Sequence, residues 1–162
     1  MVLLATSKGF ERLKVRLKRL ESRVMSSQKE VGEAASQGAE TWHDNAPYHA
    51  ALSDLRVHDK ILNEAHASLP DLTIVEYPLA LPDRKAVYGT KVVFEQDGRK
   101  DTLRIVGLGD DDLDKDRVLY NSPIAQILLG HMEGESYAAM LRSKRVQIKI
   151  KEVHPLTESD LE

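Results

Sequence analysis

Apolar residues recur along the first third of the chain at Phe10, Leu13, Leu17, Leu20 and Val24, at spacings of three, four, three and four. That is a heptad seam, narrower than the broad apolar face of a globular helix. Ser27 breaks the seam and Val31 resumes it, no proline precedes Pro47, and Thr6 or Ser7 is placed to cap the start. After a polar stretch centred on Gly38, a second seam runs through Tyr48, Ala51, Leu55, His58, Leu62, Ala65 and Leu69 until Pro70 stops it. Two heptad segments of similar length around a short interruption predict an antiparallel helical hairpin. An arm of roughly 30 residues at 1.5 Å per residue reaches about 45 Å, which reads as a projecting finger.

The pattern changes after Pro70. Residues 72–77 form a short β-type run, and Pro78 and Pro82 bracket a linker-like turn. Residues 91–95 and 102–106 flank Asp97-Gly98, a strong hairpin signal. Residues 118–120 are a further strand candidate, and residues 123–129 read as a short helix with Ser122 as N-cap, Pro123 in its first turn and Gly130 ending it. Val146, Ile148 and Ile150 alternate with polar residues, giving a half-buried strand. The expected class is α+β: a finger over 1–75 with its tip at about 38–48, a small antiparallel β domain with one short helix over 76–157, and a frayed acidic tail at 158–162.

With 41% hydrophobic and 30% charged residues the chain can bury a core. The net charge of −3 hides an asymmetry, because residues 1–30 carry eight Lys/Arg against three Glu while the rest is acidic. Zero Cys excludes a disulfide framework, a thiolate zinc site and a Cys nucleophile. The short apolar start lacks the pattern of a signal peptide and no apolar run is long enough to span a bilayer, so a soluble cytoplasmic protein is expected. No Gly-rich phosphate loop or serine-hydrolase elbow occurs, which argues against an autonomous NTPase or serine hydrolase.

The basic residues are ordered. Lys8, Arg12, Arg16, Arg19 and Arg23 follow one another at spacings of four, four, three and four. From Arg12 on, each precedes a seam residue by one position, so the stripe lies about 100° around the helix from the buried face. Acidic residues are sparse between them, where a solvated coiled-coil flank usually interleaves Glu with Lys. A solvated coiled-coil face is the plainer reading of the stripe; segregated cations placed near a nucleic-acid backbone would instead neutralise phosphates without reading sequence.

At the interruption stand the only Trp, Trp42, and several polar groups. Glu40 and Asp44 present two hard oxygen donors that suit Mg²⁺ but are too few to hold it alone. Capping of the second helix by Asp44 or Asn45 is the plainer reading and does not exclude the first. The run Gly109 to Asp116 fails the calcium-loop pattern, with no Gly where the turn requires one and no Glu at the twelfth position, and reads as a solvated acidic loop. The six His share no metal-ligand spacing.

Several segments together resemble the bacterial Gre family of transcript-cleavage and elongation factors. Residues 40–51, Glu-Thr-Trp-His-Asp-Asn-Ala-Pro-Tyr-His-Ala-Ala, stand in the frame of the family's tip pattern Gly-Asp-Leu-Ser-Glu-Asn-Ala-Glu-Tyr-His-Ala-Ala. Residues 88–92, 103–107 and 120–130 match the domain that follows the family's coiled coil in content and order. The resemblance covers nearly the whole chain. It implies a coiled coil that enters the secondary channel of bacterial RNA polymerase and an FKBP-like domain that docks on the rim. It further implies tip acids that help hold Mg²⁺ of the polymerase active centre while the polymerase hydrolyses the 3′ end of backtracked nascent RNA. Such a protein is a monomer that is not itself an enzyme and carries no cofactor of its own. On this reading Asp44, with Glu40 beside it, is the shared metal contact, and Lys8, Arg12, Arg16, Arg19 and Arg23 face RNA. Asp110, Asp111, Asp112, Ser122 and Pro123 dock on the polymerase.

The tip departs from the family, with Thr41 where the first acid stands and Asp44 one methylene shorter than the usual Glu. A polymerase binder without cleavage activity is therefore the second reading. A coiled-coil module that dimerises through its seams is the third.

Overall fold

Thr6 opens the first helix in the computed structural model, which describes residues 3–37 and 45–162. Its hydroxyl accepts the amide of Gly9 at 2.8 Å and its carbonyl accepts that of Phe10, the capping arrangement that satisfies orphan donors of a first turn. Ahead of it lies strand β1 (Leu3–Ala5), and the helix, α1, runs Ser7–Gln37. Helix α2 spans Ala46–Ser68 and passes through one 3₁₀ turn into β2 (Leu72–Ile74), which pairs with β1.

α1 and α2 form the antiparallel pair that the two seams predict. Asn45 reaches Ala34, His58 reaches Ser27 and His66 lies near Glu21, so positions rising along one helix meet positions falling along the other. Leu13, Leu17 and Val24 are buried and the seam residues of α2 are half-buried. Ser27 does not break the seam. It is 4% exposed and its Oγ lies 2.8 Å from Nδ1 of His58. A small hydroxyl and the imidazole of the second seam satisfy each other across the helix pair, as buried polar groups must.

The remaining strands are β3 (Thr90–Gln96), β4 (Arg99–Val106), β5 (Arg117–Leu119), β6 (Ser136–Leu141) and β7 (Lys144–Pro155), in the order β5-β4-β3-β7-β6. Asp97 and Gly98 turn β3 into β4 with both φ angles positive, as a two-residue hairpin requires. All neighbours are antiparallel except β4 and β5, which run parallel because the acidic loop carries the chain back across the sheet end before β5 begins. One face is the core: Val92, Phe94, Ile105, Ile148 and Ile150 are buried there beneath Ala125 and Leu128 of helix α3 (Pro123–Leu128). Ser122 caps α3 by accepting the amide of Ala125.

The segment expected to fray is ordered. Residues Glu158–Leu161 form a short helix, α4, opened by a capping box between Thr157 and Asp160. Asp160 also accepts from Lys91 and Arg104, so this acid is held by charge, while Glu158 and Glu162 stay exposed.

The chain divides into two units, one of Arg12–Leu72 and one combining the described residues up to Glu11 with Thr73–Glu162. The first turn of α1 therefore belongs with the sheet-bearing unit. Among the described residues no helix is long and apolar enough to cross a membrane.

Candidate functional site

Within the helical unit, the seam fixes where the cations go. Because Leu13, Leu17 and Val24 turn inward, Arg12, Arg16, Arg19 and Arg23 fall on the exposed side, and Lys14 and Lys18 are exposed with them. Lys8, in the first turn, is also exposed and meets Glu158 at 3.0 Å. The structure thus holds the five predicted cations along one helix.

The hairpin is tied near its turn by Asn45. Its side-chain oxygen accepts the amide of Tyr48 at 3.1 Å, capping α2, and its Nδ2 donates to the carbonyl of Ala34 on α1 at 2.9 Å. Of the two candidates for that cap, Asn45 fills the role. Glu40 and Asp44, expected to contact metal, lie outside the described residues. Among the described residues no group of three or more His, Asp or Glu is placed to hold an ion.

In the sheet-bearing unit, the loop after β4 sorts its acids by role. Asp110 is 2% exposed, and its Oδ2 accepts from the hydroxyls of Thr6 at 2.8 Å and Tyr77 at 2.7 Å. Tyr77 in turn accepts the amide of Gly107 at 3.0 Å. Burial and the Asp110 carboxylate push the Tyr77 hydroxyl well above the ordinary tyrosine range, so it stays a donor. Asp110 is therefore a bracket for the start of α1 and does not offer its carboxylate to a partner. Asp112 caps the following 3₁₀ turn and accepts from Arg117 Nη2 at 3.0 Å. Asp111 is half-buried and faces a groove.

That groove, about 620 Å³, has an apolar floor of Val118, Leu119, Ile124, Leu141 and Val146, and brings Asp111, Ser122 and Pro123 together. Leu113 stands on its rim and is 80% exposed. Sequence reasoning passed over Leu113. The available signal was an apolar residue alone in a run of aspartates, where exposure costs about 1.5–3 kcal/mol relative to burial unless something covers it.

The family model described as "Transcription elongation factor, GreA/GreB, C-term" matches residues 81–155. A protein of Thioalkalivibrio sulfidiphilus named "Transcription elongation factor GreA" is 31% identical over 136 residues, covering 80% of this chain and 83% of the relative. A protein of the same name from Psychrobacter sp. is 30% identical over 155 residues, covering 91% and 94%. The solved "GreA factor homolog 1 (Gfh1) protein of Thermus thermophilus" is 20% identical and covers 95% of this chain and 99% of its own, with a TM-score of 0.44. The chain belongs to the GreA/GreB family of transcription elongation factors.

Proposed function

We propose that this protein binds bacterial RNA polymerase, seats its helical hairpin in the secondary channel and stimulates cleavage of backtracked nascent RNA by the polymerase. The observation that carries the reading is the exposed file of Arg12, Arg16, Arg19 and Arg23 on a helix whose other side is buried in its own hairpin. A helix so arranged neutralises several phosphates along one line while its partner helix keeps it straight. Asp44, with Glu40, supplies carboxylate oxygens of the kind Mg²⁺ prefers, and the remaining ligands come from the polymerase and the RNA. When bound there, Mg²⁺ supplies Lewis-acid polarisation and an activated water. This chain's own part is to deliver the acids and to hold the RNA. The groove beside Ser122 and Pro123, with Asp111 and Leu113, is the docking surface: an apolar floor lined by Asp111 together with Arg117, Arg142 and Lys144 suits an apolar element of the polymerase that carries charges of both signs. The reading leaves the chain without a resident cofactor and acting as a monomer.

A second reading rests on Thr41 and Asp44. With one tip acid replaced and the other shortened, the protein occupies the channel and modulates or inhibits the polymerase without cleavage. Halted, backtracked complexes with end-labelled RNA separate the two. Shortened transcripts on adding the protein support the first. Retained binding with full-length transcripts supports the second, and absence of binding contradicts both.

A further inference from the structure

The strand registers line up Arg117 of β5, Arg104 of β4, Lys91 of β3 and His154 of β7 as direct cross-strand neighbours. Residues opposite one another share a face, so three cations and an imidazole cross four strands, a row of about 14 Å at normal strand spacing. The row lies on the face opposite the core, because Val92, Ile105, Val118 and Val153, each adjacent to a row member, turn into the core. Like charges placed directly opposite repel, so such a row needs an anion.

Residues Thr157–Glu162 provide one. Asp160 Oδ1 accepts from Lys91 Nζ at 3.2 Å and Arg104 Nε at 2.9 Å, while Oδ2 accepts from the amide and hydroxyl of Thr157. The carbonyl of Leu161 accepts from Arg117 Nη1, and that of Glu162 from Lys115 Nζ. Glu158 holds Lys8, the first cation of the α1 stripe. Two side-chain carboxylates and two backbone oxygens thus meet five cations, and of these acceptors only Asp160 sets a side-chain charge against the row itself. Arg117, whose side chain is 8% exposed, gives Nη2 to Asp112, yet its buried Nε finds no hydrogen-bond partner among the described residues. The segment leaves a donor of the row unmet.

We propose that this row is a second phosphate-binding surface for single-stranded RNA and that residues 157–162 are a displaceable acidic cover over it. Two of the three cations in the row are guanidinium groups, whose planar forks match phosphate oxygens better than a point charge does. The cover occupies the row as a backbone and carboxylate stand-in for that ligand, and RNA competes with it. The row itself lies on the β-sheet and not on α1, with Lys8 the one stripe residue that the cover also touches, and its RNA binding does not depend on polymerase.

The test uses the full-length protein, Asp160→Asn and a form lacking residues 157–162, titrated with a short single-stranded RNA oligonucleotide. Both altered forms bind about tenfold more tightly at low salt, and the slope of log K against log salt steepens by about 1.4 for Asp160→Asn, which frees Lys91 and Arg104, and by about 2 for the shortened form, which also frees Arg117. Adding Lys91→Ala and Arg104→Ala removes the gain. In the unaltered protein, saturating RNA speeds amide exchange at Asp160 and Leu161, a readout that holds even if the shortened form does not fold. Unchanged exchange, unchanged affinity in folded variants, a gain that survives loss of Lys91 and Arg104, or a gain for polyglutamate without one for RNA overturns the proposal.

Discussion

Ser27 Oγ and His58 Nδ1 lie 2.8 Å apart across the two helices of the hairpin, at a seam position where Ser27 is buried. The pair is a polar rung in an otherwise apolar ladder, and its energetics follow from the asymmetry of buried hydrogen bonds. Ser27→Ala strands the imidazole and lowers stability by about 1 kcal/mol, whereas replacing both partners with apolar residues is close to neutral or stabilising. Urea denaturation of the two single variants and the double variant checks this. An Ser27→Ala variant as stable as the parent contradicts it.

Asp160 gives the sheet-bearing unit an acid-sensitive component. Burial raises its pKa, but hydrogen bonds from Thr157, Arg104 and Lys91 outweigh that and hold the carboxyl well below the ordinary carboxylate range. A depressed folded-state pKa contributes stability that is fully present above about pH 4 and is lost as pH falls from there toward the lower folded value. Asp160→Asn therefore lowers stability by about 2 kcal/mol at neutral pH. It also flattens the acid side of a stability profile measured by urea melts. Equal profiles for both forms contradict the assignment.

Tyrosines do the converse at alkaline pH. Burial, then the neighbouring Glu135 charge, pushes the Tyr137 hydroxyl up to about 12, and it donates to the carbonyl of Ile127 at 2.6 Å. Burial and Asp110 raise Tyr77 and Tyr88 further. These groups stay protonated in the folded chain while their unfolded counterparts ionise near pH 10, so the stability they contribute is present below that pH and lost as pH rises through the folded values. Absorbance titration near 295 nm then shows delayed tyrosinate formation that coincides with loss of the fold. A simple titration centred near pH 10 in the folded protein contradicts this.

Gly109 tests the bracket at the start of α1. Its φ is +91°, and a Cβ there overlaps the carbonyl of Gly9 in the helix's first turn. Gly109→Ala combines left-handed strain with overpacking and lowers stability by about 3 kcal/mol or more, read by thermal melting. A neutral result means that the loop and first turn do not approach so closely.

The seams were legible because coiled-coil packing writes itself into spacing: Leu13, Leu17 and Val24 turned inward as the pattern demands. Ser27 was not, since polar residues read as breaks until a partner such as His58 is known. The Asp97-Gly98 turn announced β3 and β4, whereas β6 was missed because its hairpin to β7 turns on Arg142 and Ser143, non-glycine residues holding positive φ. In the acidic loop, composition gave all aspartates one meaning. Asp110 is separated from its neighbours by Thr6 and Tyr77, contacts distant in sequence. The order of residues 158–162 likewise comes from Lys91 and Arg104, which no local pattern discloses.

Exposed side chains on α1 separate function from folding. Replacing Arg12, Arg16, Arg19 and Arg23 with alanine changes stability by only about 0.5 kcal/mol per site, while weakening RNA contact in the polymerase complex and flattening its salt dependence. Crosslinking of RNA to α1 at several salt concentrations measures it. Undiminished crosslinking removes the stripe from the mechanism.

Cleavage stimulation is read from the rate of transcript shortening in backtracked polymerase complexes, with the unaltered protein and with Asp44→Ala compared at equal occupancy. The unaltered protein is expected to accelerate release of short 3′ RNA fragments, and Asp44→Ala to bind equally well but leave the transcript at full length. Equal acceleration by both forms, or none by the unaltered protein, contradicts it.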